Sequence, residues 1–270
     1  MDRRRLERIV LLILALLNVF LLSVVLSDSA EARRSAKETA ASVTAVLEDN
    51  GIAVADGAVL IADAPEKCVL TRVVSAESEK VRRIIGDNVS EDLGGNILLY
   101  RGDQGQALLR GSGETDIVLN YGAVPLRRGA ERTAERLLRR IGVSARAAER
   151  AEGAETTDFY CCCEDLPVYN AVLSFSFSES CLTMVGGTRL FDSVTRSADE
   201  PGMDSVSALL RFVEIVRSEG YICSRLEGME AGYSMTVTRS GEAELAPVWR
   251  IETDTGALLI DAVSGGVIQQ

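Results

Sequence analysis

Ile9 to Leu26 is an unbroken run of 18 residues without a charge, IVLLILALLNVFLLSVVL, interrupted only by Asn18 and Ser23. No other feature constrains the chain as much. At a rise of about 1.5 Å per residue such a helix is roughly 27 Å long, close to the hydrocarbon thickness of a bilayer. Within lipid the backbone must satisfy its own polar groups, so the run is expected to be helical. Arg3, Arg4, Arg5 and Arg8 precede it, which predicts that the first eight residues stay in the cytoplasm. Everything after Ser27 is then expected outside. A cleaved signal peptide also starts with a basic segment and an apolar stretch, and Ala30-Glu31-Ala32 fits a small-x-small cleavage pattern. A buried core helix is the third reading, although a segment apolar all round suits lipid better. Asn18 lies at mid-run. An amide in lipid prefers a partner, so Leu17, Asn18, Leu21 and Leu22 are the candidate contacts with another transmembrane helix, the alternative being that Asn18 is simply tolerated.

The expected organisation is a cytoplasmic tail over 1–8, a transmembrane helix over 9–26, and two extracytoplasmic parts over 27–125 and 126–270. The part beyond the membrane carries 25 basic and 38 acidic residues, a net charge of −13. That balance opposes binding to nucleic acid or to anionic lipid and wall polymers. There is no histidine in the 270 residues, which removes histidine-dependent acid–base catalysis, Ser-His-Asp and Cys-His machinery, and histidine-ligated metal sites.

Periodicity predicts helices over 35–48, 77–85, 130–141 and 204–218, ended by Asn50-Gly51, by Gly142 and by Gly220, with Asp204 as a cap. Strand-like stretches separated by glycine turns fill 96–120, and further strands are expected over 158–163, 168–175, 181–185, 221–225, 233–238, 247–253 and 257–263. LPVYNAVLSFS at 166–176 and APVWRIETDTG at 246–256 share Pro-Val-aromatic followed by a hairpin, at similar distances from the preceding helix. The fold class expected from this is α+β: a transmembrane helix, then repeated units of one helix on an antiparallel sheet.

Six cysteines, Cys68, Cys161, Cys162, Cys163, Cys181 and Cys223, lack the paired CxxC spacing of zinc sites. In a strand Cys161 and Cys163 point one way and Cys162 the other, so the triplet does not converge on one ion. Small buried thiols, a disulfide, for instance between Cys181 and one of the triplet, or metal or redox chemistry remain the readings. Asp254-Thr255-Gly256 spells the aspartic-protease triplet, but that chemistry needs two carboxylates and no second such triplet exists. A hairpin turn is expected there. No GxSxG elbow, SxxK pair or phosphate-cradling glycine loop is present, and no catalytic residue, cofactor or metal is expected.

Met1-Asp2, Arg8, the apolar run and Leu17-Asn18-Val19-Phe20-Leu21-Leu22 resemble the start of YycI-type regulatory proteins, single-pass membrane proteins of Gram-positive bacteria. Pro247-Val248-Trp249-Arg250-Ile251, Gly256 and Leu259 to Ile268 resemble their closing hairpin, which is also the hairpin that ends PepSY-type domains. The chain departs from the family in having Arg3 in place of an aromatic and in its cysteine triplet. The resemblance implies a non-catalytic, membrane-anchored regulator that modulates a sensor histidine kinase of a cell-envelope two-component system, beside a second anchored YycH-like protein. A PepSY-like module that inhibits or chaperones a secreted peptidase is the alternative implied.

Overall fold

The computed structural model describes residues 34–149, 155–197, 201–238 and 242–268. Helix α1 covers 34–49, α2 Val74–Ile85, α3 Ala130–Ile141 and α4 Ser205–Ser218. Strands β3 (Asn88–Gly94), β4 (Ile97–Gly102), β5 (Gly105–Leu109) and β6 (Glu114–Leu119) form an antiparallel meander after α2. After α3 come β7 (Ala145–Ala147), β8 (Thr156–Cys163), β9 (Leu166–Phe177) and β10 (Leu182–Thr188), again antiparallel. The final strands of the two sets, β6 and β10, pair with each other, Val118 opposite Met184 and Ile117 opposite Val185. An eight-stranded sheet results.

Strand alternation decides which face the helices cover. Tyr100, Ala107, Leu109, Ile117, Val185, Leu173, Phe175 and Phe159 turn to one side and are buried. Against them lie Val81, Ile84 and Ile85 of α2 and Ala134, Leu137, Leu138 and Ile141 of α3. Each apolar side chain buried fully in this layer contributes about 1.5–3 kcal/mol. At Gly187, where β10 runs against β9, the strands come very close. Its φ is 120°, and a Cβ there would stand 2.0 Å from the Val172 carbonyl oxygen, so only glycine fits.

The second half of the molecule builds on long strands. β12 (Arg225–Val237) and β13 (Glu242–Thr253) form a hairpin, and β14 (Gly256–Asp261) and β15 (Val267–Ile268) extend it. The start of β13 also pairs with β2 (Cys68–Thr71), which in turn pairs with β11 (Ser193–Arg196), and β1 (Ala53–Val54) lies parallel to the start of β12. Val43 and Leu47 of α1 and Leu209, Phe212, Val213 and Ile215 of α4 cover Leu226, Ile251, Leu258 and Ile260 of this sheet.

The two sheets meet where Tyr233 of β12 pairs in parallel with Val168 of β9. Two residues on, the Asn170 side chain continues the ladder. Its amide donates to the Met235 carbonyl at 2.8 Å and its oxygen accepts from the Met235 N–H at 2.7 Å.

This corrects the expected fold class. The described chain is mixed α/β, with four helices around one 15-stranded sheet network that contains the parallel pairs β1–β12 and β9–β12, rather than α+β built of repeated, separately antiparallel units. The physical reason is edge pairing. A four-stranded unit leaves unpaired N–H and C=O groups along its edge, and here those edges satisfy one another. No helix among the described residues is long and apolar enough to cross a membrane, and the expected membrane helix over 9–26 lies outside the described residues.

Candidate functional site

The apolar stripe of α2 contains one residue that breaks it. Glu77 occupies the helix face of Val81, Ile84 and Ile85, and its side chain is only 3% exposed. A carboxylate so placed needs partners. Arg72 supplies a two-pronged one, Nε to Oε2 at 2.8 Å and Nη2 to Oε1 at 2.7 Å. The Tyr100 hydroxyl donates to Oε1 at 3.1 Å, and Arg189 donates to Oε2 through Nη2. Two guanidinium groups therefore share one carboxylate inside the protein. Burial, with the charge of Glu77 adding to it, pushes the Tyr100 hydroxyl up to about 12. Burial also lowers the Arg189 guanidinium from its usual value, against the opposing pull of Glu77.

Beside this cluster, α2, α3 and the covered face of the sheet line a partly open cavity of about 140 Å³. Its floor and walls are apolar, with Leu137, Ile117, Phe175 and Val185 prominent, while Lys80, Glu77, Arg189 and Asp192 gather on one side. Lys80 Nζ lies 2.5 Å from Asp192 Oδ1. The Arg189 guanidinium carbon stands 5.4 Å from the centre of the Phe191 ring. Cys161 also lines the cavity, and burial pushes its thiol up to about 12, so it is no nucleophile at neutral pH.

A second notable surface is the other face of the eight-stranded sheet. It carries half-buried Leu99, Leu108 and Val172 and the exposed side chains of Val118 and Met184, the last two directly opposite each other.

The residues singled out from the sequence are distributed as follows. Leu17, Asn18, Leu21 and Leu22 lie outside the described residues. All six cysteines are free thiols. Cys161 and Cys163 face the core and Cys162 is half-buried on the other side, while Cys181 is held near Ser178, its N–H donating to the Ser178 hydroxyl at 3.2 Å. Among the described residues no group of three potential ligands is placed to hold a metal. Asp254 and Thr255 form the turn between β13 and β14. The Asp254 carboxylate accepts from the Ser224 hydroxyl at 2.5 Å and from the N–H of Ser224 and of Arg225, which lowers it from the usual carboxylate range. These bonds tie the turn to the start of β12. The segment resembling the closing hairpin, Pro247 to Ile268, forms β14, β15 and the second half of β13.

The sequence marks Glu77 only as the start of an expected helix, and singles out none of Arg72, Lys80, Arg189 and Asp192. The available signal was Glu77 itself, a charge where the helical period calls for an apolar residue.

No family model matches the chain, and no curated protein matches it. Among solved structures it is similar to an uncharacterized protein from Eubacterium rectale, at 11% identity over 81% of this chain and 90% of that one, with a TM-score of 0.49. It is also similar to the C-terminal domain of YpeB from Bacillus megaterium, at 10% identity, 74% and 99% coverage and a TM-score of 0.38. YycH from Bacillus subtilis is matched at 9% identity over 72% of this chain and 52% of that one, with a TM-score of 0.37. The likeness to YycI rests on the sequence patches alone.

Proposed function

We propose that the chain is a regulatory module of the cell envelope that acts by protein contact and carries out no catalytic step. In this reading it sits at the cell membrane by its apolar stretch 9–26, with its body on the outer side, and modulates a sensor histidine kinase, in company with a second YycH-like regulator. The observation that carries the reading is the open sheet face. Two helices cover one side of the eight-stranded sheet, while the other side presents the exposed Val118 and Met184 opposite each other, with half-buried Leu99, Leu108 and Val172 elsewhere on the same face. Exposed apolar side chains paired on a sheet face favour association with another protein. The sequence patches at Leu17–Leu22 and Pro247–Ile268 support the choice of partner. Such a module works by binding one kinase state more tightly than another, and needs no reacting group.

The test is a membrane two-hybrid assay of the full chain against sensor histidine kinases, with the double substitution Val118→Asp and Met184→Asp. Both side chains are exposed, so the variant is expected to keep its unfolding temperature and to lose the association signal. An unchanged signal would exclude this face, and association with a secreted peptidase in place of any kinase would overturn the kinase reading in favour of a PepSY-like inhibitor.

A further inference from the structure

Buried polar atoms in folded proteins almost always find partners, and the exceptions ask for an explanation. Among the described residues three buried side-chain atoms have no hydrogen-bond partner: Asp158 Oδ1, Arg189 Nε and Asp192 Oδ1. Two of the three belong to residues that line the α2/α3 cavity. The Arg189 side chain is 14% exposed and that of Asp192 9%. Asp192 Oδ1 has Lys80 as an ion-pair partner at 2.5 Å, so its charge is matched even though the hydrogen-bond geometry is not met. Arg189 Nε has no acceptor. Its guanidinium shares Glu77 with Arg72, stands over the Phe191 ring and feels the charge of Asp192.

Charge leads to the same place. Lys80 and Arg189 line the cavity with Glu77 and Asp192, and Arg72 pairs with Glu77 and feels the charge of Asp92, while Tyr100 and Cys161 are neutral at pH 7. Among the described residues Glu77 is the carboxylate hydrogen-bonded to Arg189, and it is shared with Arg72 in a setting where burial makes an incompletely matched charge expensive. A guanidinium that shares its carboxylate and keeps an orphan N–H donor calls for an anionic acceptor. The rest of the cavity is apolar, and a volume of about 140 Å³ is near that of an engineered cavity of about 150 Å³ that takes up benzene.

We propose that this cavity is a binding site for a small organic monoanion, an apolar body of about six to eight non-hydrogen atoms that carries a carboxylate accepting from Arg189 Nε. The body lies among Ile117, Leu137, Phe175 and Val185, and the head lies toward Arg189 and Lys80. Ligand-sized apolar cavities with a few convergent polar groups are the usual form of small-molecule sites. Nothing in this proposal depends on the protein-contact reading, and its test uses no partner protein.

Titration calorimetry of the full chain in detergent with benzoate, benzamide and toluene is the experiment. Benzoate is expected to bind at least tenfold more tightly than either neutral probe. Val185→Phe fills the cavity and is expected to abolish benzoate binding while the unfolding temperature stays within a few degrees, because the added ring has space to occupy. Arg189→Lys keeps the charge and removes Nε, and is expected to weaken benzoate at least tenfold while leaving toluene unaffected. Toluene or benzamide binding as tightly as benzoate would overturn the assignment of an anion. Benzoate binding that survives Val185→Phe would overturn the site. If Arg189→Lys fails to fold, the Val185→Phe variant and the three-probe ranking still decide.

Discussion

Glu77 is the side chain on which the interior of the first sheet depends. It is the carboxylate hydrogen-bonded to both Arg72 and Arg189, and removing one member of a buried ionic group leaves the others stranded without solvent. Glu77→Ala is therefore expected to destabilise the chain by about 3–5 kcal/mol, read as a fall in the urea midpoint at constant slope. Replacing the whole cluster with apolar residues would cost far less, since the penalty lies in the unmatched guanidinium groups. A second carboxylate titrates usefully. Glu230 accepts from Arg146, with Nη2 to Oε2 at 2.7 Å, and from the Tyr169 hydroxyl at 3.2 Å, and the Arg146 bond lowers it from its usual value. A carboxylate with a lowered folded-state value stabilises fully above its unfolded value and loses that contribution as pH falls through the folded one. Glu230→Gln is thus expected to be less stable than the parent at pH 7 and to converge with it below about pH 4, in urea melts run across that range. Neither role was visible in the chain. A lone Glu in an apolar stripe is a recognisable anomaly, and Arg72 lies five positions away, but the partners that complete the cluster do not: Tyr100 is 23 positions away and Arg189 112.

Helices were the most legible elements. α3 runs over Ala130–Ile141, as its apolar period indicates, with Gly142 in the left-handed region at its end. α4 starts after Asp204, whose carboxylate accepts from the Ser207 N–H at 2.8 Å. Asp204→Ala is expected to cost about 1 kcal/mol, checked by thermal melting of the full chain. Helical period and capping are local, so sequence carries them. The long strands were less legible. The stretches expected over 221–225 and 233–238 resolve into one strand, Arg225–Val237, with 221–224 outside it. Gly228 and Gly232 lie within that strand and read locally as breaks. Gly232 is required because a Cβ would meet the Tyr169 ring at 2.5 Å and the Pro167 carbonyl oxygen at 2.7 Å. The glycine that looks like a turn is a place where two strands press together, and that depends on a neighbour from elsewhere in the chain.

The molecule as a whole is two helix-covered sheets joined between β9 and β12, with Tyr233, Met235, Ala243 and Leu245 sharing the core of the first sheet. Between β9 and β12 a single backbone pair, Tyr233 with Val168, is supplemented by the Asn170 clamp on Met235. Asn170→Ala removes two hydrogen bonds and leaves the Met235 backbone groups without these partners. A loss of about 2 kcal/mol is expected, and hydrogen exchange at the Met235 amide is expected to speed up more than exchange in the centres of either sheet. The sequence by itself determined where the helices lie, where most turns fall, which cysteines share a strand face, and which histidine-based chemistries are closed to this chain. Those follow from composition and from periods of two and of about 3.6, which need no distant partner. Only the tertiary structure decided that strand edges from separate helix-and-strand units would pair into one mixed network, that Glu77 would gather two arginines, and that a cavity would form beside them. Hydrogen bonds between edges and pairings between charges are satisfied by whichever groups the folded chain brings together, and no local pattern records which those are.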